Sequence, residues 1–369
     1  MNIVRILKRL ACTALASAAL LNLAAAGEKT VVIAQAIDLS GPNGSTGRDY
    51  VAGITTYFDS VNMQGGLQGK RIQYLVQDDK GDPALSAKLA GELSDKADFM
   101  LGGIGNDSTQ AVLANPNFKQ SGHILFAPLA NATREMASRA LFWRPNQEIE
   151  IDYIFSWFEK LGIRNVGIVY QDGSINRNMM QYIQQMIAKR GLHLTGTVRM
   201  QKNPQDSEKE ILQLTTNNPN LVISLADSIG TGLFLRQFRK HAERTFVAGT
   251  SLINLPTLTE VAGAKATEWT VFSQVVPNPS MATSSLQSEH LAMMKRFRDE
   301  EVSSMTLEGF AVAKSLLKAI AMSKNGNLQS FMAHKSNIDL GGLSISPPSS
   351  SMSSFVDIAL LRRGRSLMF

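Results

Sequence analysis

A short segment in the first third of the chain combines residue types suited to holding a small ligand. Three glycines occupy residues 102–105 after an apolar strand-like run, and Asn106, Asp107, Ser108 and Thr109 follow where a helix is predicted to begin. Glycine lets the backbone approach a ligand closely, and the first N–H groups of a helix are free to bind an anionic group. The segment therefore predicts a ligand-binding loop, although Asn106 or Asp107 could instead only cap the helix.

Motifs for catalysis and for cofactor binding do not occur in the sequence. There is no GxSxG nucleophile elbow, no Gly-Lys-Ser/Thr phosphate loop, and no GxGxxG fingerprint in the first βα unit. Asp78 and Asp79 could form an acid–base pair, but capping the next turn or facing solvent is the favoured interpretation. The histidines lack metal-like spacing: His123, His193, His241, His290 and His334. We therefore predict that the protein is not an enzyme and uses no metal and no cofactor.

The first 26 residues have the layout of a secretory signal peptide. Arg5, Lys8 and Arg9 form a basic region, residues 10–23 form an uncharged apolar run, and alanines at 24–26 provide a small-residue cleavage site. The apolar run is shorter than the ~20 residues that a membrane-spanning helix needs, so an uncleaved anchor is the weaker alternative. The chain is therefore predicted to be secreted to the periplasm through a cleaved signal peptide.

Composition limits the partners that suit the mature chain. The formal net charge of the 369 residues is +6, and half of it belongs to the predicted signal peptide. The basic residues Arg236, Arg239, Lys240 and Arg244 resemble the solvated side and end of one helix, so no nucleic-acid partner is predicted. Cys12, the only cysteine, leaves with the signal peptide, which leaves no disulfide and no thiolate ligand. The length favours two domains.

Strand-like and helix-like segments alternate along almost the whole chain. The predicted strands cover residues 30–36, 71–77, 99–101, 124–127, 166–170, 192–198, 221–225 and 245–248, and the later predicted helices cover 178–189, 206–216, 231–241, 286–297 and 306–323. This alternation is typical of an α/β fold in which parallel sheets carry helices on both faces. Because the series occurs twice, the sequence predicts two doubly wound lobes.

Three segments are predicted to pass between the lobes. Residues 143–146 separate the two series, residues 275–279 follow a strand and precede a long helical region, and the Ser/Pro-rich residues 346–351 form a third crossing or a surface loop. The predicted first lobe contains residues 27–144 and 278–346. The predicted second lobe contains residues 145–277 and 347–369.

Several motifs, taken in order, resemble those of the type I periplasmic binding proteins of ABC importers, in the branched-chain amino-acid-binding group. They are Leu-Ser-Gly-Pro at 39–42, Asn-x-x-Gly-Gly-x-x-Gly-Lys at 62–70, Asp-Asp-x-x-Asp-Pro at 78–83, Ser-Thr-Gln at 108–110, Leu-Arg-Gln at 235–237 and Thr-Leu-Glu-Gly-Phe at 306–310. The resemblance covers nearly all of residues 30–360. It implies two Rossmann-like lobes, joined by three crossovers, that close on a small ligand and deliver it to a membrane permease.

The resemblance also implies which first-lobe residues line the ligand site. Asn106 and Asp107 stand where the family has a hydroxyl residue that holds the ligand carboxylate, and Ser108 and Thr109 follow them. Asn131, after Leu129 in the next strand-end loop, replaces a threonine of the family pattern. The side chains at these positions therefore already differ from those that binding of leucine, isoleucine or valine would require.

The second-lobe side departs further from the family pattern. Ile175 and Asp227 replace two aromatic residues, and Thr250 replaces the acid that pairs with the ligand ammonium. Because an unpaired buried charge is costly, we expect weak or no binding of leucine, isoleucine and valine. Asp227 would favour a ligand with an amine or amide donor, unless it caps the helix predicted to begin near Ser228.

The resulting hypothesis is an exported solute-binding protein that captures a small polar ligand in an interlobe cleft. The ligand would be an amino acid, an amide or a related metabolite, and an ABC transporter permease would receive it. The alternative is an extracytoplasmic sensor, which would use the same cleft and pass occupancy to a signalling partner. A hydrolase is disfavoured because no base, nucleophile and oxyanion donor converge.

Overall fold

The computed structural model describes residues 29–131, 136–171, 177–201, 203–323, 328, 331, 337–346, 351–362 and 366–369. The predicted signal peptide and Ile175 lie outside these ranges, as does most of the Ser/Pro-rich run. No helix in the described part of the chain combines the length and the apolar character that a membrane span requires.

The first series of elements builds a five-stranded sheet. Its elements are β1 (Thr30–Ile37), α1 (Gly44–Met63), β2 (Arg71–Asp78), α2 (Pro83–Ser94), β3 (Phe99–Leu101), α3 (Asn106–Ala114), α4 (Pro116–Ser121), β4 (Leu125–Phe126) and β5 (Ala140–Leu141). The strand order is β2-β1-β3-β4-β5, and every pair is parallel. The carboxyl ends of all five strands therefore lie at one edge of this sheet.

The second series builds a larger sheet. Its elements are α5 (Gln147–Lys160), β6 (Asn165–Gln171), α6 (Arg177–Lys189), β7 (His193–Met200), α7 (Glu208–Thr216), β8 (Leu221–Ser224), α8 (Ser228–Phe238), β9 (Phe246–Gly249), α9 (Leu255–Ala262) and β10 (Thr270–Gln274). The strand order is β10-β9-β8-β6-β7, again with parallel pairs. The prediction of two α/β units with parallel sheets is confirmed.

The last part of the chain contributes to both units. Its elements are α10 (Ser285–Phe297), α11 (Ser304–Met322), β11 (Ile338–Asp339), β12 (Ser344–Ile345), β13 (Asp357–Arg362) and β14 (Ser366–Met368). α11 packs into the core of the first sheet. β13 joins β10 in antiparallel pairing and β14 extends the same sheet beyond it. These antiparallel edge strands were not foreseen from the sequence.

Burial is nearly continuous along β1, as expected for a sheet covered by helices on both faces. Ile33 and Ile37 belong to one core cluster with α1 and α11, whereas Ala34 and Ala36 belong to a second cluster with α2, α3 and α4. The side chains of β1 therefore alternate between two helix-covered cores. The larger sheet has the same arrangement, with α5 and α6 on one face and α7, α8 and α9 on the other.

Among the predicted boundaries that were wrong by a few residues, three have a clear local reason. The helix expected from Thr231 begins at Ser228, because Asp227 caps it from outside. The strand expected over residues 124–127 contains only Leu125 and Phe126, since Ala127 has a φ of 53°. The helix expected from Asp206 begins at Glu208, after a 3-10 turn.

His290 on α10 is a buried histidine that the sequence could not distinguish from the exposed ones. Its side chain is fully buried, with Nε2 3.1 Å from Thr306 Oγ1 and the ring edge-on to Phe310. Nδ1 has no hydrogen-bond partner among the described residues. Burial lowers the pKa of His290 from 6.5 to about 4, because the charged imidazolium would lose its hydration.

This lowered pKa makes stability depend on pH. The unfolded chain binds a proton at His290 near pH 6.5 and the folded chain only near pH 4, so stability is present above pH 6.5 and is lost as the pH falls. Replacing His290 with phenylalanine should reduce the loss of unfolding free energy between pH 7 and pH 5 by about 2 kcal/mol. Urea titrations at both pH values measure this. His123→Gln is the control, and equal slopes for all three proteins would contradict the assignment.

Candidate functional site

The predicted ligand-binding loop follows β3 and leads into α3. The N-cap of α3 is Gly105, with a φ of 102° that favours glycine, and no side chain caps the helix there. Neither Asn106 nor Asp107 is therefore the N-cap, which rules out the simple capping alternative. A Cβ on Gly102 would lie 2.5 Å from Pro128, so this glycine permits close packing of two strand-end loops. The first N–H groups of α3 are left without a side-chain cap.

The predicted first-lobe residues lie together in two adjoining loops. Asn106 Oδ1 accepts a hydrogen bond of 2.8 Å from the backbone N–H of Asn131, and Leu129 forms a bridge with Ile104. Asp107 is exposed at the start of α3. These polar residues therefore follow two neighbouring parallel strands, β3 and β4. This is the position expected of a ligand site at the carboxyl edge of a parallel sheet.

Ser108 and Thr109 are buried, with exposed fractions of 5% and 2%. Thr109 Oγ1 has no hydrogen-bond partner among the described residues. A buried hydroxyl without a partner is unfavourable, and it gains when a ligand or water supplies the missing bond. The Thr109 hydroxyl is therefore a first-lobe group with hydrogen-bonding capacity that a ligand could use.

The second-lobe predictions fall on the ends of β8 and β9. Asp227 is exposed, and its Oδ1 accepts a 2.7 Å hydrogen bond from the N–H of Gly230. It therefore caps α8, which was the alternative to a ligand-facing role. Thr250 directly follows β9 and is buried. Ile175 lies outside the described residues.

Two hydrogen bonds that the sequence did not suggest join the lobes across these edges. Asn254 Nδ2 donates to Ser45 Oγ at 2.8 Å, and Thr257 Oγ1 donates to the carbonyl of Pro42 at 3.2 Å. The loop after β9 therefore contacts the start of α1, and the start of α9 contacts the loop after β1. Both loops follow the carboxyl ends of their strands, so the two sheets present the same kind of edge to each other.

Comparison with known proteins identifies this architecture. The family model described as periplasmic binding protein matches residues 30–340. The chain belongs to the periplasmic binding protein family. The Leu/Ile/Val-binding protein BraC3 of Rhizobium johnstonii is 26% identical to it over 327 residues, covering 85% of this chain and 84% of the relative. The predicted type I, branched-chain amino-acid-binding group is confirmed, and the family is one of substrate-binding proteins rather than enzymes.

Solved structures agree on the fold of this periplasmic binding protein. LivJ of Streptococcus pneumoniae, in complex with isoleucine, has a TM-score of 0.76 at 16% identity, covering 92% of this chain and 98% of that one. A fatty acid ABC transporter substrate-binding protein from Thermomonospora curvata has a TM-score of 0.75 at 17% identity, covering 91% and 89%. Likeness at this level of identity shows that the fold is shared and does not show which ligand is bound.

Carboxylates organise the β1–α1 loop of this periplasmic binding protein. Asp78 accepts hydrogen bonds from the N–H groups of Leu39 and Lys80 and from Ser40 Oγ. Burial by itself would raise the pKa of Asp78, but these hydrogen bonds together outweigh it and lower that pKa. Asp79 is buried against Ser86 Oγ at 2.7 Å, and burial raises its pKa. Both carboxylates are occupied by the protein's own donors, so the pair is structural.

The described part of the chain contains no group of three or more histidine, cysteine, aspartate or glutamate side chains that could hold a metal ion.

A buried ion pair lies where the chain passes from β5 to α5. Arg144 donates from Nε and Nη2 to the two carboxylate oxygens of Glu308 at 2.6 and 2.7 Å, and from Nη1 to Ser251 Oγ at 2.8 Å. Both charged side chains are almost fully buried. Burial alone would lower the pKa of Arg144, but the carboxylates of Glu308 and Glu150 raise it. The guanidinium thus ties α11 to the loop after β9.

Glu150 continues this network into the second sheet. Its Oε2 accepts hydrogen bonds from the N–H of Ser251 at 2.9 Å and from Ser273 Oγ at 2.5 Å. Ser251 therefore bonds both to Arg144 through its hydroxyl and to Glu150 through its backbone. The loop after β9, which carries Thr250, is held in place from two sides.

A cavity of about 570 Å³ lies beside this loop. Its walls come from the start of α1, the segment between α10 and α11, the loop between β9 and α9, and the end of the chain. Thr250 is the one predicted site residue among its described lining residues. The cavity is therefore distinct from the first-lobe loops that carry Asn106 and Asn131.

Breaking the buried ion pair should be costly. Glu308→Gln leaves the Arg144 charge without its partner, which should lower the free energy of unfolding by roughly 3–5 kcal/mol. Replacing both residues together, Arg144→Met with Glu308→Leu, should cost less than the sum of the single changes, because no buried charge is left unpaired. Glu243→Gln removes the partner of Lys265 in an exposed pair and should cost under about 1 kcal/mol. Chemical denaturation of these three variants, and of Arg144→Met and Glu308→Leu alone, measures the costs, and additive single costs would argue against coupling.

Proposed function

We propose that this protein is an exported solute-binding protein that captures a small polar ligand between its lobes for an ABC transporter permease. The contact between the β1–α1 loop and the β9–α9 loop carries this proposal. Because Asn254 and Ser45 follow strands of different sheets, their hydrogen bond brings two ligand-binding edges to the same cleft. The names of the relatives agree with a solute-binding role in transport.

Sheet membership supports the predicted lobe boundaries as part of this proposal. β1–β5 and α11 build the first unit, whereas β6–β10, β13 and β14 build the second. This suits a first lobe of residues 27–144 and 278–346 and a second lobe of residues 145–277 and 347–369. The basic and apolar character of residues 1–26 supports export to the periplasm.

The first-lobe side of the site would be formed by Asn106, Asp107, Ser108 and Thr109, with Leu129 and Asn131 alongside. The uncapped start of α3 and the unpartnered hydroxyl of Thr109 support this, since both can bind an anionic or hydrogen-bonding ligand group. The second-lobe side would be formed by Ile175, Asp227 and Thr250. Asp227 already caps α8, and its exposed carboxylate can still meet a ligand donor across the cleft.

Leucine, isoleucine and valine do not match this set of side chains well. Thr250 brings no charge to pair with a ligand ammonium, and Asp227 is the carboxylate that would replace it. We therefore propose a ligand with an amine or amide donor, such as another amino acid, an amide or a related metabolite.

A thermal-shift screen of amino acids, amides, polyamines and small carboxylates on the mature protein tests the ligand class. A ligand at a hundred times its Kd should add about 2.7 kcal/mol of stability. The joint change Ser108→Ala and Thr109→Ala should weaken binding of the hit by ~1–3 kcal/mol, whereas Thr216→Ala, on the exposed side of α7, should not. Unchanged affinity with lowered stability would assign the two hydroxyls to the fold alone. Tight binding of leucine would overturn the reading of the pocket.

Closure around the ligand is tested by small-angle X-ray scattering of the mature protein with and without the screening hit. A ligand that bridges both lobes stabilises the closed arrangement by its differential affinity for it, so the radius of gyration should fall on binding. A radius of gyration that stays constant with every high-affinity ligand would contradict the hinge account.

A further inference from the structure

The strands of the second sheet share an amino-terminal edge, opposite the carboxyl edge that carries Asp227 and Thr250. Strands β6 to β10 are parallel, so the connections that lead into them all lie at this edge. They are residues 161–164, 190–192, 217–220, 239–245 and 263–269. We call these connections, with the last turns of the helices before them, the basic pole. Five strands spaced by about 4.8 Å make it roughly 20 Å wide.

Positive charge is concentrated at the basic pole. Its five connections contain six lysine and arginine residues and two glutamates. The last turns of α5 to α9 add three more basic residues and two glutamates. By contrast, the connections that follow β6, β7, β8 and β9 contain three aspartates and one lysine. The second lobe is therefore polarised, with its cationic end away from the predicted ligand residues.

Several cations of the basic pole have no carboxylate partner. Arg236, Lys240 and Arg244 are exposed, and none of them forms an ion pair with another described residue. Like charges that share one surface repel each other, and this repulsion is relieved when an anionic surface approaches. The basic pole therefore has a charge that a partner could neutralise.

Arg239 fixes the shape of the basic pole between α8 and β10. Its Nε donates to the carbonyl of Ala266 at 3.1 Å, and its Nη1 donates to the carbonyls of Ala242 and Thr245 at 3.1 and 2.6 Å. Burial lowers the pKa of Arg239 to about 10, since no described carboxylate offsets the lost hydration. These bonds join the connections before β9 and β10. A hollow of about 630 Å³ lies there, and its lining includes Arg236, Lys240, Arg244, Lys265 and Trp269.

Two large apolar side chains are exposed at the same pole. Leu161 follows α5 and is 59% exposed, and Trp269 precedes β10 and is 40% exposed. The ring of Phe246 lies between those of Phe158 in α5 and Trp269, with centroid distances of 5.2 and 5.3 Å. The end of α5 therefore adjoins the connection that ends at Trp269. Exposed tryptophan and leucine among lysines and arginines are typical of a surface that meets lipid headgroups.

We propose that the basic pole binds the surface of a bilayer that contains anionic phospholipid. The lysines and arginines lie against the headgroup phosphates, one headgroup occupies the hollow beside Arg239, and Trp269 and Leu161 enter the interface. A bilayer fits better than an acidic peptide, because the cations spread over several connections with apolar side chains among them. The proposal rests on the proposed export, which brings the protein to a membrane surface. The carboxyl edge stays free to bind a solute.

Co-sedimentation of the mature protein with lipid vesicles tests this proposal. The protein should bind vesicles of phosphatidylglycerol and phosphatidylcholine in equal parts, and it should not bind vesicles of phosphatidylcholine alone. Raising the ionic strength from ~0.1 M to ~1 M shortens the Debye length from about 10 Å to about 3 Å, which should release the protein. Absence of binding to the mixed vesicles, or equal binding to both kinds, would overturn the proposal.

The exposed cations are tested together. The joint change Arg236→Gln, Lys240→Gln and Arg244→Gln should weaken partitioning onto the mixed vesicles by about a hundredfold, since each basic residue at an anionic surface contributes about fivefold. All three side chains are exposed, so the fold should be kept.

A matched variant controls for net charge. The joint change Lys88→Gln, Lys96→Gln and Lys119→Gln removes three exposed lysines of the first lobe and should leave vesicle binding unchanged. An equal loss of binding in both triple variants would show an effect of net charge alone, and the basic pole would then not be the contact surface.

Tryptophan fluorescence locates the contact. Trp143 is almost fully buried, so in the variant Trp157→Phe the exposed reporter is Trp269. Its emission should shift to shorter wavelength when mixed vesicles bind, because the indole moves from water into the interface. Vesicle binding without this shift would place the contact elsewhere on the protein and contradict the proposal.

Soluble polyglutamate distinguishes an acidic protein partner from a bilayer. If polyglutamate bound through Arg236, Lys240 and Arg244 while mixed vesicles did not bind, the partner would be an acidic protein and the membrane proposal would be wrong. Solute binding is measured separately, and the triple variant of the basic pole should retain it because the pole lies at the opposite edge of the sheet. A protein that captures a solute but does not bind mixed vesicles would refute the membrane contact and leave the solute-binding proposal intact.

Discussion

The buried charge of Arg144 is the constraint on which the two-lobed arrangement depends. A guanidinium removed from water must keep a carboxylate and hydrogen-bond acceptors in fixed positions, or its burial is strongly unfavourable. Glu308 meets this need from α11, and Ser251 meets it from the loop after β9. The first crossover, a first-lobe helix and a second-lobe loop are thereby held in one geometry.

The network around Arg144 lies beside the segments that cross between the lobes and also holds a ligand-site loop. In the proposed closure the crossing segments bend, while the loop that carries Thr250 keeps its position relative to the loops of the other lobe. Glu150 holds Ser251 from the second sheet while Arg144 holds it from the crossover. The third passage runs beside the first, since Met352 and Ser353 donate to the carbonyls of Phe142 and Trp143. In the proposed closure, the lobes would rotate as whole units around this compact polar centre.

The sequence by itself determined the α/β class, the two series of parallel strands and the strand-end loops. Strand and helix periodicity is local, and the carboxyl ends of parallel strands necessarily share an edge; Asn106 and Asn131 could be paired in advance for this reason. Tertiary structure decided between the alternatives that the sequence left open: Asp227 caps α8, Asp78 holds the β1–α1 loop, and Asp79 holds the turn before α2. It alone decided that His290 is buried and that Arg144 pairs with Glu308, 164 residues further along the chain. Burial and long-range pairing depend on how the lobes pack, and no local pattern of residue types records that packing.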